Sequence, residues 1–230
     1  MPAAKSRIKT WGLELEGGWL EDSLRKHTAH LHADGSVRNL LPECAHVGEI
    51  ASPVIHSADA ARKWIIRHYP DSVNDSCGFH IHIGVNLLNY CRLMDEDFHK
   101  FYLREMTAFW EANRAERGFD LFKHRLDGKN IYCQKKFRPE EQLHRTEAYG
   151  NRRTHPRYSQ LNFCWTRHGT MECRVFPCFP KAVSAVAAFD AFTDCVNTFL
   201  ARSEPEEPIR TVVRIKEHDE VGKLQPASAL

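Results

Sequence analysis

Four stretches of the chain alternate apolar and polar residues with a period of two, the mark of a strand with one face buried. From Trp11 to Glu16, Trp11, Leu13 and Leu15 fall on one side, and Gly12, Glu14 and Glu16 on the other. From Phe79 to Asn86, Phe79, Ile81, Ile83 and Val85 are apolar, and His80, His82 and Asn86 point to the opposite face. Residues 160 to 165 set Leu161, Phe163 and Trp165 against Gln160, Asn162 and Cys164, and residues 170 to 176 set Met171, Cys173 and Val175 against Glu172 and Arg174. Each predicted strand thus has one apolar face and one face rich in groups with chemistry.

Helical signals lie between and after these strands. Ser57 is a fitting cap for a helix through ADAARKWIIRHY, which Pro70 would stop. Asp95 would cap a longer helix through Phe98, Tyr102, Phe109 and Trp110, closing near Gly118. In residues 181 to 202, Val183, Val186, Phe189, Phe192, Val196 and Phe199 recur mostly every three or four positions, an apolar helical stripe. Strands and helices with one strongly polar sheet face predict an α+β domain, its sheet covered by helices on one side and open to a ligand on the other. Residues 1–202 read as a single catalytic-type domain, and residues 203–230, polar and proline-punctuated, as a weakly attached tail.

Composition narrows the function classes. The chain has 230 residues, enough for a sizeable core without cross-links. Its 32 Lys and Arg against 30 Asp and Glu leave a net charge of +2, too small for a general grip on nucleic acid or anionic membrane. No long apolar run and no apolar stretch after the first charges are evident, so neither membrane spanning nor export is expected, and the expected compartment is the cytoplasm. There the eight cysteines read as reduced thiols, and with no CxxC pair they do not form a zinc ribbon.

The question this pattern poses is why one sheet face should collect Glu14, Glu16, His80, His82, Glu172 and Arg174. Two like charges about 4 Å apart repel by roughly 4 kcal/mol at an effective dielectric near 20, so converging carboxylates call for a cation between them. Carboxylate oxygens with one imidazole suit Mg2+ or Mn2+, ions that keep room for water and phosphate. Arg174, two residues from Glu172, offers a fixed fork for a phosphoryl or carboxylate oxygen. Alone, an ExE strand is usually a solvated face and an HxH pair usually a pair of satisfied core histidines. It is their joint occurrence in this order that points to a shared metal site.

The motifs GLELE (12–16), DGS (34–36), GEIASP (48–53), CGFHIHIG (77–84), RYSQLN (157–162) and GTMECRVF (169–176) together resemble the amidoligases often encoded by phages. These belong to the carboxylate–amine ligase superfamily, related to glutamine synthetase and glutamate–cysteine ligase. The resemblance covers about residues 8 to 200. It implies a curved, mainly antiparallel sheet holding divalent ions between ATP and an acid substrate. It further implies Glu14, Glu16, Glu49, His80 and Glu172 as metal ligands, with the choice between His80 and His82 left open. Glu172, His80 and Arg174 are then the catalytic set, Arg174 stabilising the transferring phosphoryl group, and Arg157, Asn162, His82 and Arg174 help hold nucleotide or substrate. The cofactors implied are ATP and Mg2+, or Mn2+ in its place. The partners are small-molecule or peptide carboxylates and amines. The chain is short for this superfamily, which leaves a second subunit completing the pocket, and so a homo-oligomer, as an open expectation.

Between Lys123 and Arg157 ten basic residues (123, 125, 129, 135, 136, 138, 145, 152, 153, 157) face four acids, a local net of +6. With Gly128, Pro139 and Gly150 as breakers, this reads as a loop region reaching over an anionic ligand, a triphosphate being the economical candidate. Thin aromatic interleaving speaks against nucleic acid. Two rivals to ligation are a metal-dependent hydrolase using the His80 and His82 face, and a catalytically inactive phage accessory protein of the same fold. Against the first, no HExxH helix is present and glutamates outnumber the imidazoles.

Overall fold

The computed structural model describes residues 6–24, 30–143, 151 and 154–202; the tail expected at 203–230 lies outside the described residues. Six strands, β1 (Thr10–Trp19), β2 (His30–His32), β3 (His46–Ala51), β4 (Gly78–Gly84), β5 (Leu161–Cys164) and β6 (Thr170–Pro177), form one antiparallel sheet in the order β2-β3-β1-β4-β6-β5. The helices are α1 (Glu21–Leu24), α2 (Ala58–His68), α3 (Leu87–Leu93), α4 (Glu96–Asn113), α5 (Phe119–Leu126), α6 (Pro139–Leu143), α7 (Trp165–His168) and α8 (Ala182–Ala201). The α+β class expected from the alternation is what forms.

All four predicted strands are present, though the third ends at Cys164 and Trp165, expected on its inner face, opens α7 instead, and their apolar faces share one core. Leu13, Leu15, Phe79, Ile81, Ile83, Met171 and Cys173 are each at most 1% exposed and pack with Phe98, Tyr102, Phe189, Phe192 and Val196 from the helices. Burying such side chains stabilises by roughly 1.5–3 kcal/mol each. The helix starts follow their caps. The Ser57 side chain accepts from Ala60 N and opens α2, and the Asp95 side chain accepts from Asp97 N and opens α4. Helix α4 stops at Asn113, short of the expected end, and Gly118, at φ +94°, caps the start of α5 rather than the end of α4. Asn86, expected on the polar strand face, caps α3 by accepting from Asn89 N.

Helix α8 forms where expected, but its buried stripe is offset. Ala185, Ala188, Phe189, Phe192, Cys195, Val196 and Leu200 are buried, whereas Val183 is 66% exposed. The small alanines at the start of the helix mark the close approach. Among the described residues α8 is the helix long and apolar enough to cross a membrane, and half of it is buried inside the protein.

The far edge of the sheet is closed by a side chain. Gln142 of α6, 2% exposed, accepts from Phe163 N through Oε1 at 2.9 Å and donates through Nε2 to Leu161 O at 3.2 Å. The amide stands in for a neighbouring strand and blunts the β5 edge. Strand β6 carries the main irregularity. Phe79 pairs with Phe176 and Ile81 with Cys173, so Arg174 and Val175 together oppose His80. This bulge returns Phe176, which strict alternation would turn to the polar face, to the core, where it stacks on Phe122 with ring centroids 5.2 Å apart.

The offset of α8 is testable by urea unfolding. Val183→Asp should change stability by no more than about 0.5 kcal/mol, while Ala185→Leu, which overpacks the interface, should cost about 1–3 kcal/mol. The reverse order would restore the stripe through Val183.

Candidate metal and anion site

The antiparallel register brings the polar face together in rows. Glu16 pairs with Glu49, Glu14 with His80, and His82 with both Gly12 and Glu172, which in turn pairs with Asn162. Because β1 lies between β3 and β4, its two glutamates meet partners from both sides. Four stretches of sequence, from Glu14 to Glu172, converge in this way.

His80 is the centre. Its Nδ1 lies 3.0 Å from Glu14 Oε2 and 3.5 Å from Glu172 Oε1, and its Nε2 lies 3.7 Å from Glu16 Oε1. Glu14, His80 and Glu172 each present a potential ligand atom within 4.8 Å of the others, and so do Glu16, Glu49 and His80. The five residues expected as metal ligands are therefore brought together as two triads sharing one imidazole. His82 lies beside them, with Nε2 3.1 Å from Glu14 Oε1 and Nδ1 3.2 Å from Thr170 Oγ1. Its hydrogen-bond partners are one carboxylate and one hydroxyl, and it is His80, rather than His82, that stands in both triads.

Glu172 is held from two directions. Asn162 Nδ2 donates to its Oε2 at 2.6 Å, and Arg174 Nη1 donates to its Oε1. Asn162, expected to help hold nucleotide or substrate, is 1% exposed and holds this carboxylate. Glu16 accepts from Gly78 N. A side chain on Gly78 would stand 2.7 Å from His80 Nε2 and 3.0 Å from Glu16 Oε2, so the missing Cβ is what lets these groups approach.

The polar face is not the open surface expected. Glu16, His80, Glu172 and Arg174 are all 6% exposed or less. Of these, Glu16, His80 and Arg174 line a cavity of about 260 Å³, together with Glu49, Arg125 and Arg157. Asp34, Gly35 and Ser36 of the DGS motif, together with Ser76, Tyr132 and Tyr158, complete it. Of the ten bases of the basic stretch, Arg125 and Arg157 line this cavity, and Arg145, Arg152 and Arg153 lie outside the described residues. Arg125 and Tyr132 lie outside the patterned strands, so periodicity gives neither a role of its own. The same holds for His168, whose ring stands edge-on to His82 with centroids 6.3 Å apart.

Burial sets the charge states. It opposes ionisation of Glu172, but Arg174 together with His82 and His80 outweighs it and holds the pKa at about 2. Burial likewise opposes charge on Glu14, and His82 with the two imidazole hydrogen bonds keeps its carboxyl well below the usual range. Burial would lower His82, yet Glu14 raises it to about 9. Glu49 goes the other way: burial first, then the charges of Glu14 and Glu16, push it up to about 8. A carboxyl kept protonated by its carboxylate neighbours fits a place for an absent cation, and a donor set of four carboxylates and an imidazole suits a hard divalent ion.

Comparison with protein-family models, with curated proteins and with solved structures yields no match to this chain.

The pH dependence follows in sign. Between pH 4.5 and about 8 the folded protein binds the Glu49 proton more tightly than the unfolded chain does, and between 6.5 and about 9 it does the same at His82. Stability from both is therefore present at low pH and lost as pH rises through 8 to 9. The melting temperature of the metal-free protein should fall from pH 6.5 to 9. Saturating Mn2+, which displaces the Glu49 proton, should flatten that fall and release protons into weak buffer at pH 7. A melting temperature independent of pH, with no proton release, would contradict these charge states.

Proposed function

We propose that the protein is an ATP-dependent carboxylate–amine ligase of the amidoligase type, with a glutamine synthetase-like sheet. The observation that carries this reading is the pair of acidic triads sharing His80, one of which, Glu16, Glu49 and His80, lines a cavity that three arginines also line. Anionic phosphate and a hard divalent ion are the ligands such a cavity fits, and the order of the motifs along the chain supports amide synthesis as the use made of them.

In the proposed reaction an oxygen of the acid's carboxylate attacks the γ-phosphorus of ATP, the bond to the bridging oxygen breaks, and ADP leaves behind an acyl phosphate. The nitrogen of an amine then attacks the acyl carbon, phosphate departs, and the amine proton passes to solvent, leaving an amide. Glu14, Glu16, Glu49, His80 and Glu172 would hold the divalent ion, which when bound neutralises phosphoryl oxygens. Arg174, anchored on Glu172, presents a guanidinium that cannot deprotonate to the charge on the transferring group. Arg157 enters the cavity from the turn at Pro156–Tyr158 and faces the same anions. Asn162 holds Glu172 in place. No protein nucleophile is required. Burial pushes the Cys133 thiol up to about 12 and raises that of Cys173 as well, so both are inert packing groups.

The hydrolase reading has less behind it: among the described residues both triads hold the same single histidine, and the other ligand groups are carboxylates.

The test is incubation with ATP, Mg2+ and pooled amino acids or cell-wall peptides, following ADP by chromatography and products by mass. A product heavier than its amine by the acid less water, formed with one ADP, is expected. Since Glu172 and Arg174 are buried against each other, size-conserving changes are the informative ones. Glu172→Gln and Arg174→Lys should each reduce ADP release by about a hundredfold or more, with folding intact by circular dichroism. Turnover in both variants equal to wild type would remove these residues from the reaction, and amide hydrolysis with retained zinc would favour the hydrolase.

A further inference from the structure

Arg125 is a buried cation whose environment is incomplete. It is 6% exposed, and its guanidinium donates from Nη2 to Cys77 O at 3.0 Å and from Nη1 to Phe176 O at 3.3 Å. Among the described residues no carboxylate forms an ion pair with it, whereas its cavity neighbour Arg174 is paired with Glu172. A buried charge without a counter-charge is costly.

A purely structural role explains this poorly. Arg92, also buried, donates to Phe199 O, Leu200 O and Arg202 O at the C-terminal end of α8, where helix carbonyls lack partners. Arg125 has no such task. Cys77 O already accepts from Cys178 N at 3.1 Å, and Phe176 O belongs to the sheet. Two carbonyls use only part of a guanidinium with five N–H groups, and the group lines the cavity shared with Arg157 and Arg174. Gly78 leaves the approach clear, because a Cβ there would stand 3.1 Å from Arg125 Nη1.

The residue is also held with unusual care. Gln160, 1% exposed, donates from Nε2 to Arg125 O and to Leu126 O at 2.8 Å each, fixing the end of α5. Those bonds turn its Oε1 to a position with no hydrogen-bond partner among the described residues, a cost normally avoided. Its backbone oxygen accepts from Arg174 N at 2.8 Å, so one residue sets both arginines against a common frame.

We infer that Arg125 is an oxyanion-binding residue of the cavity, taking a ligand phosphate or carboxylate as its missing counter-charge, and that Gln160 is its positioning residue. The assignment needs an anionic ligand in the cavity but not amide synthesis, so it stands or falls separately from the ligase reading.

Tripolyphosphate and glutarate, each titrated calorimetrically with and without Mn2+, separate the two sources of oxyanion. Wild type should bind one of them. Arg125→Lys, which keeps the charge but loses the fork, should weaken that probe at least tenfold. Gln160→Met, which removes the amide but preserves volume, should weaken it at least threefold. Mn2+ affinity, read by electron paramagnetic resonance, should stay within twofold in both. Unchanged probe affinity in folded variants, or equal losses of probe and Mn2+, overturns the assignment. A crystal structure of wild type with the tighter probe decides the matter if the variants do not fold: a probe oxygen on the Arg125 guanidinium is expected, and a probe seated on Arg157 and Arg174 alone refutes it. Failure of wild type to bind either probe would sink the cavity as an anion site altogether.

Discussion

Mutual repulsion among Glu14, Glu16, Glu49 and Glu172, buried around a single imidazole, is the constraint from which the rest of the molecule's polar architecture follows. At the effective dielectric of a buried site, each carboxylate pair at contact distance opposes folding by several kcal/mol unless a cation or a proton intervenes. The protein uses both. Arg174 keeps Glu172 ionised, His82 keeps Glu14 ionised, and Glu49, whose charged neighbours of greatest effect are carboxylates, keeps its proton toward pH 8. The carboxyl left neutral is thus in the triad that faces the cavity.

Holding such groups in place is the work of the surrounding sheet. Antiparallel pairing fixes Glu14 opposite His80 and Glu16 opposite Glu49, and a slip of one residue would turn every one of them into the hydrophobic core. The bulge in β6 sets two residues against His80, so Glu172 and Arg174 stay on the site face while Phe176 returns to the aromatic packing beneath. Buried amides do the remaining positioning: Asn162 on Glu172, Gln160 on the end of α5, Gln142 along the open edge of β5. Such a site holds like charges close together at a cost to stability, which the divalent ion proposed above would relieve.

Legibility in the sequence divides along physical lines. Strands β1, β4 and β6 are visible because a half-buried strand imposes a period of two, and α2 and α4 because Ser57 and Asp95 are side chains suited to capping. Strand β2 has too few residues for a period and β3, HVGEIA, puts Val47 and Ile50 on opposite faces, so Glu49 enters only through the GEIASP motif. Helix α5 is hidden because its start, Gly118, reads as a stop. Asn86 looks like a strand residue since alternation alone does not distinguish a polar face from a cap, and Val183 looks like core since spacing alone does not reveal which of two adjacent stripes the neighbouring elements will cover.

The chemical character of the site is therefore written in the one-dimensional pattern: glutamates, histidines and an arginine on the non-core faces of strands, which local alternation dictates wherever one face must be dry. Which of those side chains touch, and what closes over them, was decided only by the tertiary fold. Register between strands distant in sequence chose His80 over His82 as the shared centre. Docking of α5 and of the turn carrying Arg157 covered a face that alternation alone describes as open. Periodicity is a property of each segment, whereas pairing, burial and the charge states that follow from them are properties of segments brought together.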